Sequence, residues 1–168
     1  MRGRTTVFGS AVLLLSACGG GATPAASPTP TPISVLAQEY KNAADKANKV
    51  IFAIDARLEA DCKMLAACKA DFAQLSQAEN GFIAALRAMK PPPSMEADRR
   101  AVLDIERRRL SLVDDAAQAT SLDQINSDYN SLSAIESQFE DAIDHMRLDL
   151  GLPAAPTSTP TTRPSTSA

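Results

Sequence analysis

Apolar residues recur every three or four positions across most of residues 32–152, and this spacing predicts amphipathic helices. Four helices are expected, over about residues 32–60, 66–90, 94–118 and 121–150. The fourth has the most regular apolar stripe, formed by Leu122, Ile125, Tyr129, Leu132, Ile135, Phe139, Ile143, Met146 and Leu150. The first has a comparable stripe at Leu36, Tyr40, Ala43, Ala47, Val50, Ile54 and Leu58.

Proline and hydroxyl residues mark where the predicted helices begin and end. Pro91–Pro93 must stop the second helix, because each proline keeps the residue before it out of helical geometry. Thr31 and Ser94 are the expected N-caps of the first and third helices. Ser121 and Gln124 have the spacing of a capping box at the start of the fourth.

Two glycines bear on where the predicted helices end, and the short connections between the helices predict the fold. Gly151 is the expected C′ residue of the fourth helix, whereas Gly81 makes a bend or a break possible inside the second. Short connections between amphipathic helices favour antiparallel neighbours, so the predicted fold is all-α, an up-down-up-down four-helix bundle. The alternative is a three-helix or irregular arrangement, if the first two helices form one continuous rod.

The residues before the bundle have the pattern of an export signal. Arg2 and Arg4 form a basic start, and the uncharged run Thr5–Leu15 follows them. This run of about 11 residues is too short to span a bilayer, which takes roughly 20. Residues 1–17 are therefore predicted to be a secretory signal peptide.

The segment Leu15-Ser16-Ala17-Cys18 resembles the lipobox of bacterial lipoproteins, with an apolar residue, two small residues and a cysteine. The resemblance implies a diacylglyceryl group on the Cys18 sulfur, cleavage just before Cys18, and acylation of the new amino terminus as a further step. Two acyl chains anchor a protein stably, whereas one binds only marginally. The expected location is the extracytoplasmic face of the cell membrane.

Two segments poor in large apolar residues flank the predicted bundle. Residues 18–31 are expected to be a flexible linker behind the lipidated cysteine, and residues 153–168 a disordered tail rich in Pro, Thr and Ser. The domain between them, with its proline break and its terminal Leu-Gly-Leu-Pro, resembles small alanine-rich helical lipoproteins of high-GC Gram-positive and related bacteria. That resemblance implies no activity.

Lipidation of Cys18 leaves Cys62 and Cys68 from a total of three cysteines. Outside the cytoplasm this pair is expected to form a disulfide. In one unbroken helix, residues six apart are separated by about 9 Å along the axis. A disulfide needs Cα atoms roughly 4.4–6.8 Å apart, so the chain must turn between the first two helices.

The balance of charge argues against a nucleic-acid partner. Without Arg2 and Arg4, the 17 basic residues fall to 15 against 20 acidic ones, a formal charge of −5. The densest basic stretch lies in the third helix and ends at Arg109. An ordinary solvated face is the favoured interpretation, because acidic residues lie one turn away. The competing interpretation is a patch for an anionic partner, such as a phospholipid head group or a cell-wall polymer, that would comprise Arg99, Arg100, Arg107 and Arg108.

Residues with catalytic chemistry are few. His145 is the sole histidine, and a solvent-facing position with Asp141 and Asp149 one turn away is favoured. The competing interpretation is a metal ligand acting with Glu140, Asp141 or Asp144. The sequence therefore predicts a non-enzymatic interaction module, without a cofactor, that binds an unknown protein or envelope component. The alternative is a small-ligand or metal-binding lipoprotein that uses the bundle interior or the acidic region around His145.

Overall fold

Four helices in an up-down-up-down bundle make up the described part of this chain. The structure is a computed structural model that describes residues 31–155, so the predicted signal peptide, Cys18, its linker and most of the predicted C-terminal tail lie outside the described residues. No strand occurs between residues 31 and 155. The all-α four-helix prediction is confirmed. The helices are α1 (Ile33–Asp61), α2 (Leu65–Ala88), α3 (Glu96–Gln118) and α4 (Leu122–Asp149), and a 3₁₀ turn at Pro93–Met95 precedes α3.

Each helix packs closely against the next one along the chain, whereas the backbones of α1 and α4 approach each other much less. Buried apolar side chains form two clusters, one toward each end of the bundle. The first contains Leu36, Tyr40, Ala47, Phe82, Ile83, Leu86, Met89, Met95, Val102, Leu103, Ile143, Met146 and Leu150. The second contains Cys68, Phe72, Val113, Ala116, Ala119, Ile125 and Leu132.

The predicted apolar stripes face these clusters, with one weaker region in α4. Tyr129 is exposed, and Ile135 and Phe139 are only half-buried. These three residues lie in the middle of α4, which α1 does not approach closely. None of the helices between residues 31 and 155 combines the length and apolar character needed to cross a membrane.

Two predicted N-caps are wrong. Ser94 lies inside the 3₁₀ turn, where the Met95 amide donates to the Pro92 carbonyl at 3.0 Å, and Met95 itself precedes α3. Pro32, rather than Thr31, occupies the N-cap position of α1, and no side chain caps either helix. Proline lies at both shifted starts: the Pro32 carbonyl accepts from the Leu36 amide at 3.1 Å, and Pro93 begins the 3₁₀ turn before α3.

Side-chain capping is present at the start of α4. The Ser121 hydroxyl accepts from the Gln124 amide at 3.2 Å, as the capping box predicts. The Gln124 side chain accepts from the Thr120 amide at 3.1 Å, one residue before the amide that a capping box would use. The first bond satisfies an amide of the first turn that the helix itself leaves without a partner, and the second satisfies the amide just before the N-cap.

Glycine serves different roles in α2 and after α4. Gly151 has φ of 69°, in the left-handed region, and the Leu152 amide donates to the Arg147 carbonyl at 2.8 Å. This is the Schellman arrangement that closes a helix. Gly81, in contrast, lies inside α2, which continues through it without a break.

A disulfide joins the end of α1 to α2, as predicted. The Cα atoms of Cys62 and Cys68 lie 4.3 Å apart, and the chain turns between Asp61 and Leu65. The first two helices are therefore a hairpin and not one rod. Next to the disulfide, the Arg57 guanidinium of α1 donates to the buried Asp71 carboxylate of α2, with a Nε–Oδ1 distance of 2.8 Å.

Candidate functional site

A cleft of about 450 Å³ lies on the surface between the C-terminal half of α2 and the N-terminal half of α3. We call it the arginine cleft because four of its seven lining residues are arginines. Its lining comprises Arg87, Glu96, Arg99, Arg100, Leu103, Asp104 and Arg107. With two carboxylates against four guanidinium groups, the lining carries a formal charge of +2 on a chain whose net charge is −3.

One carboxylate at the cleft is shared between two arginines. Glu96 Oε1 accepts from Arg99 Nη2 at 2.8 Å and from Arg100 Nε at 3.0 Å. The hydrogen bond from Arg99 contributes most to holding the pKa of Glu96 below its ordinary value. Because one negative charge serves two guanidinium groups, these pairs leave positive charge uncompensated.

The four arginines differ in how strongly the protein engages them. Arg99 also donates from Nη1 to the Leu86 carbonyl at 3.1 Å, which joins the start of α3 to the end of α2. Arg107 donates to Asp104 at 2.7 Å, and both of those side chains are more than half exposed. The Arg87 side chain has no hydrogen bond or ion pair within residues 31–155. Within the described residues, Arg87 can therefore bind a ligand without breaking a hydrogen bond or an ion pair.

The predicted arginine patch is divided by the structure. Arg99, Arg100 and Arg107 line the cleft, joined there by Arg87 of α2. Arg108 is not part of this lining, and its Nη2 donates to Gln138 of α4 at 3.2 Å. Successive helical residues differ in direction by about 100°, so three adjacent arginines cannot share one face.

Arg109, which ends the same basic stretch, points into the bundle. Its Nη2 lies 3.5 Å from Glu79 Oε1 of α2 and 3.9 Å from Glu136 Oε2 of α4. Its guanidinium carbon lies 4.1 Å from the centroid of the Phe139 ring, a cation–π contact. Glu106, one helical turn earlier in α3, is also buried. We call Glu79, Glu106 and Arg109 the buried carboxylate cluster.

This cluster holds more negative groups than its arginine can neutralise. Burial raises the pKa of Glu79 to about 8, against the opposing attraction of Arg109. Burial likewise raises the pKa of Glu106 to about 7. One oxygen of each carboxyl and the Nε of Arg109 lack hydrogen-bond partners within the described residues. The two carboxyl groups are consequently protonated to a large extent near neutral pH.

Sequence reasoning missed Glu79 and Glu106, although the helical spacing contained a signal. Glu79 is seven residues from both Phe72 and Leu86, and Glu106 is seven residues before Val113. Residues seven apart in a helix share a face, so each glutamate lies on an apolar stripe. A charged residue on such a stripe is either buried as a polar group or exposed where the core is interrupted. Which of the two occurs depends on whether a neighbouring helix packs over it.

Acidic residues near His145 contact α3 and the chain that follows α4. His145 is exposed, as predicted. Desolvation and a hydrogen bond with the Asp98 carboxyl of α3 raise the pKa of Asp149. Asp144 accepts from the Ala155 amide at 2.6 Å, which holds the chain after α4 against the bundle. Between residues 31 and 155, no group of three or more His, Cys, Asp or Glu side chains is placed to hold a metal ion.

No protein-family model, no curated protein and no solved structure matches this chain.

Proposed function

We propose that this chain is a membrane-tethered extracytoplasmic lipoprotein that works as a non-enzymatic binding module of the cell envelope. Its anchor would be the lipid on Cys18, as the resemblance of Leu15-Ser16-Ala17-Cys18 to a lipobox implies. Its binding site would be the arginine cleft, and its partner an anionic envelope component.

The observation that carries this proposal is the positive cleft on an acidic protein. A lining charge of +2 concentrates positive potential at one place, while the chain as a whole is negative. Arg87 contributes a guanidinium group that has no hydrogen bond or ion pair among residues 31–155. Guanidinium groups present forked donors that suit carboxylates and phosphates. The alternative from the sequence, a small-ligand or metal-binding lipoprotein, stays a prediction.

The anchor is tested by membrane fractionation of cells that produce the chain or its Cys18→Ala variant. We expect the unaltered chain in the membrane fraction and the variant in the soluble extracytoplasmic fraction. An unaltered chain that is recovered in the soluble fraction would contradict the lipid anchor.

The binding role is tested with the soluble Cys18→Ala chain and two polymers, polyglutamate and polyphosphate. Isothermal titration calorimetry should detect binding to at least one of them, weakening as salt rises from 50 to 300 mM. Arg87→Gln should weaken this binding, whereas Arg108→Gln should not, because Arg108 lies outside the cleft. If neither polymer binds, the proposed function is wrong.

A further inference from the structure

The charge of the arginine cleft indicates which anion it suits. Glu96 and Asp104 compensate two of the four guanidinium groups, so two positive charges remain. A single carboxylate would neutralise one of them. A phosphate monoester carries a charge of about −1.5 to −2 at pH 7, because its second pKa is about 6. The excess charge of the cleft therefore matches one phosphate monoester better than one carboxylate.

The free donors come from two helices. Arg87 belongs to α2, and Arg100 and Arg107 belong to α3, two turns apart on one face. Arg100 uses only Nε for Glu96, and Arg107 uses only Nη1 for Asp104, so both keep further N–H groups for a ligand. A carboxylate has two oxygens, whereas a terminal phosphate has three that can each face a different guanidinium group. Three donors on two helices thus favour the phosphate.

The remaining lining residues hold the cleft in shape. Arg99, only 17% exposed, is engaged by Glu96 and by the Leu86 carbonyl, so it forms a fixed wall. Leu103 is buried and contributes an apolar side chain to the lining of the cleft. The Asp104 side chain is 70% exposed and pairs with Arg107 at the surface, where an ion pair is worth only about 0–1 kcal/mol. A ligand can therefore displace Asp104 from Arg107 at little cost.

We infer that the arginine cleft binds the terminal phosphate of a phosphate monoester through Arg87, Arg100 and Arg107. This inference rests on the proposed function, since it names the chemical class of the anion. A phospholipid headgroup such as that of phosphatidic acid and a small soluble phosphate ester both present this group. The chemistry at the cleft is the same in either case.

Titration of the soluble Cys18→Ala chain with glycerol 3-phosphate tests the inference, with acetate and succinate as carboxylate controls at matched ionic strength. We expect glycerol 3-phosphate to bind at least ten-fold more tightly than either carboxylate. Its affinity should rise between pH 5 and pH 7 as the phosphate gains its second charge. Arg87→Gln and Arg100→Gln should each weaken binding several-fold, whereas Arg108→Gln, an exposed arginine on the same helix, should not.

Vesicles distinguish the two sources of the phosphate. The same soluble chain is sedimented with phosphatidylcholine vesicles that contain either phosphatidic acid or phosphatidylglycerol. The headgroup phosphate is a monoester in phosphatidic acid and a diester in phosphatidylglycerol. Co-sedimentation with phosphatidic acid, competed by glycerol 3-phosphate, supports a headgroup ligand. Binding of glycerol 3-phosphate without co-sedimentation supports a soluble ester.

Three results would overturn the inference. Equal affinity for glycerol 3-phosphate and succinate would remove the phosphate assignment and leave the anion-binding function intact. Binding that Arg87→Gln and Arg100→Gln leave unchanged would place the anion elsewhere on the chain. If no anion binds, including polyglutamate and polyphosphate, both the inference and the proposed function are wrong.

Discussion

The guanidinium group of Arg109 lies 3.5 Å from the carboxylate of Glu79, between α3 and α2 and away from the surface. Arg107 and Arg108, its neighbours in sequence, are exposed. The contact places a polar group between the two apolar clusters of the bundle. How much this contact contributes to stability depends on whether Glu79 is protonated, because the pKa of Glu79 is raised to about 8.

Replacement of Arg109 by methionine should destabilise the bundle strongly at pH 8. Removing one partner of a buried ion pair typically costs about 3–5 kcal/mol, since the other charge is left buried and alone. At pH 5 the loss should be smaller, because protonated carboxyl groups need no counter-charge. Urea unfolding followed by circular dichroism at both pH values measures the difference. Arg108→Met is the matched control and should stay within about 0.5 kcal/mol of the unaltered chain.

The free energy of unfolding should fall as the pH rises from about 5 to about 8. Both carboxyl groups titrate near pH 4.5 when unfolded, but in the bundle burial raises the pKa of Glu79 to about 8 and that of Glu106 to about 7. The folded state thus binds more protons between these values, and its advantage is lost as the pH passes the folded pKa. Each proton held only by the folded state contributes a slope of about 1.4 kcal/mol per pH unit.

Neutral variants check this pH dependence. Glu79→Gln and Glu106→Gln should each flatten the stability profile above pH 5, whereas exposed Glu59→Gln should leave its slope unchanged. Urea midpoints measured at half-unit intervals from pH 5 to pH 8.5 give the slopes. A profile that rises with pH in the unaltered chain would contradict the raised pKa values.

Reduction of the Cys62–Cys68 disulfide should lower the free energy of unfolding by about 2 kcal/mol, because the bond closes a short loop of the unfolded chain. The measurement compares urea unfolding with and without a reductant. A Cys62→Ala/Cys68→Ala variant should be insensitive to the reductant. Equal stability of the oxidised and reduced chains would show that the turn between α1 and α2 holds without the bond.

Two glycine-to-alanine variants should have opposite effects. Gly81 lies inside α2, and among the described residues an added Cβ would meet no atom within 4 Å beyond its chain neighbours and the adjacent backbone of its own helix, so Gly81→Ala should stabilise by about 0.5–1 kcal/mol. Gly151 has φ of +69°, where an L side chain is strained, so Gly151→Ala should destabilise by about 1 kcal/mol. Thermal unfolding of both variants tests the pair. A stabilising Gly151→Ala would contradict the left-handed C′ position.

Much of the fold could be predicted from the sequence, because it depends on local chemistry. The proline run after α2 and Gly151 after α4 act within one helical turn, and the observed helix ends lie within about two residues of those expected. The Cys62–Cys68 pair required a turn through simple geometry. The N-cap predictions at Thr31 and Ser94 were wrong, and a proline lies next to each of these residues at the start of the helix.

Only the tertiary structure decided which charged residues face inward. Arg99, Arg107, Arg108 and Arg109 belong to one basic stretch, yet the first two line the cleft, Arg108 contacts α4 and Arg109 points into the bundle. Helical periodicity gives the angle between side chains but not which neighbouring helix each direction meets. Arg87 joins the cleft from another helix, and Glu79 is buried beside Arg109 of α3. Local sequence determined where the helices lie along the chain, and the packing between helices determined which charges meet.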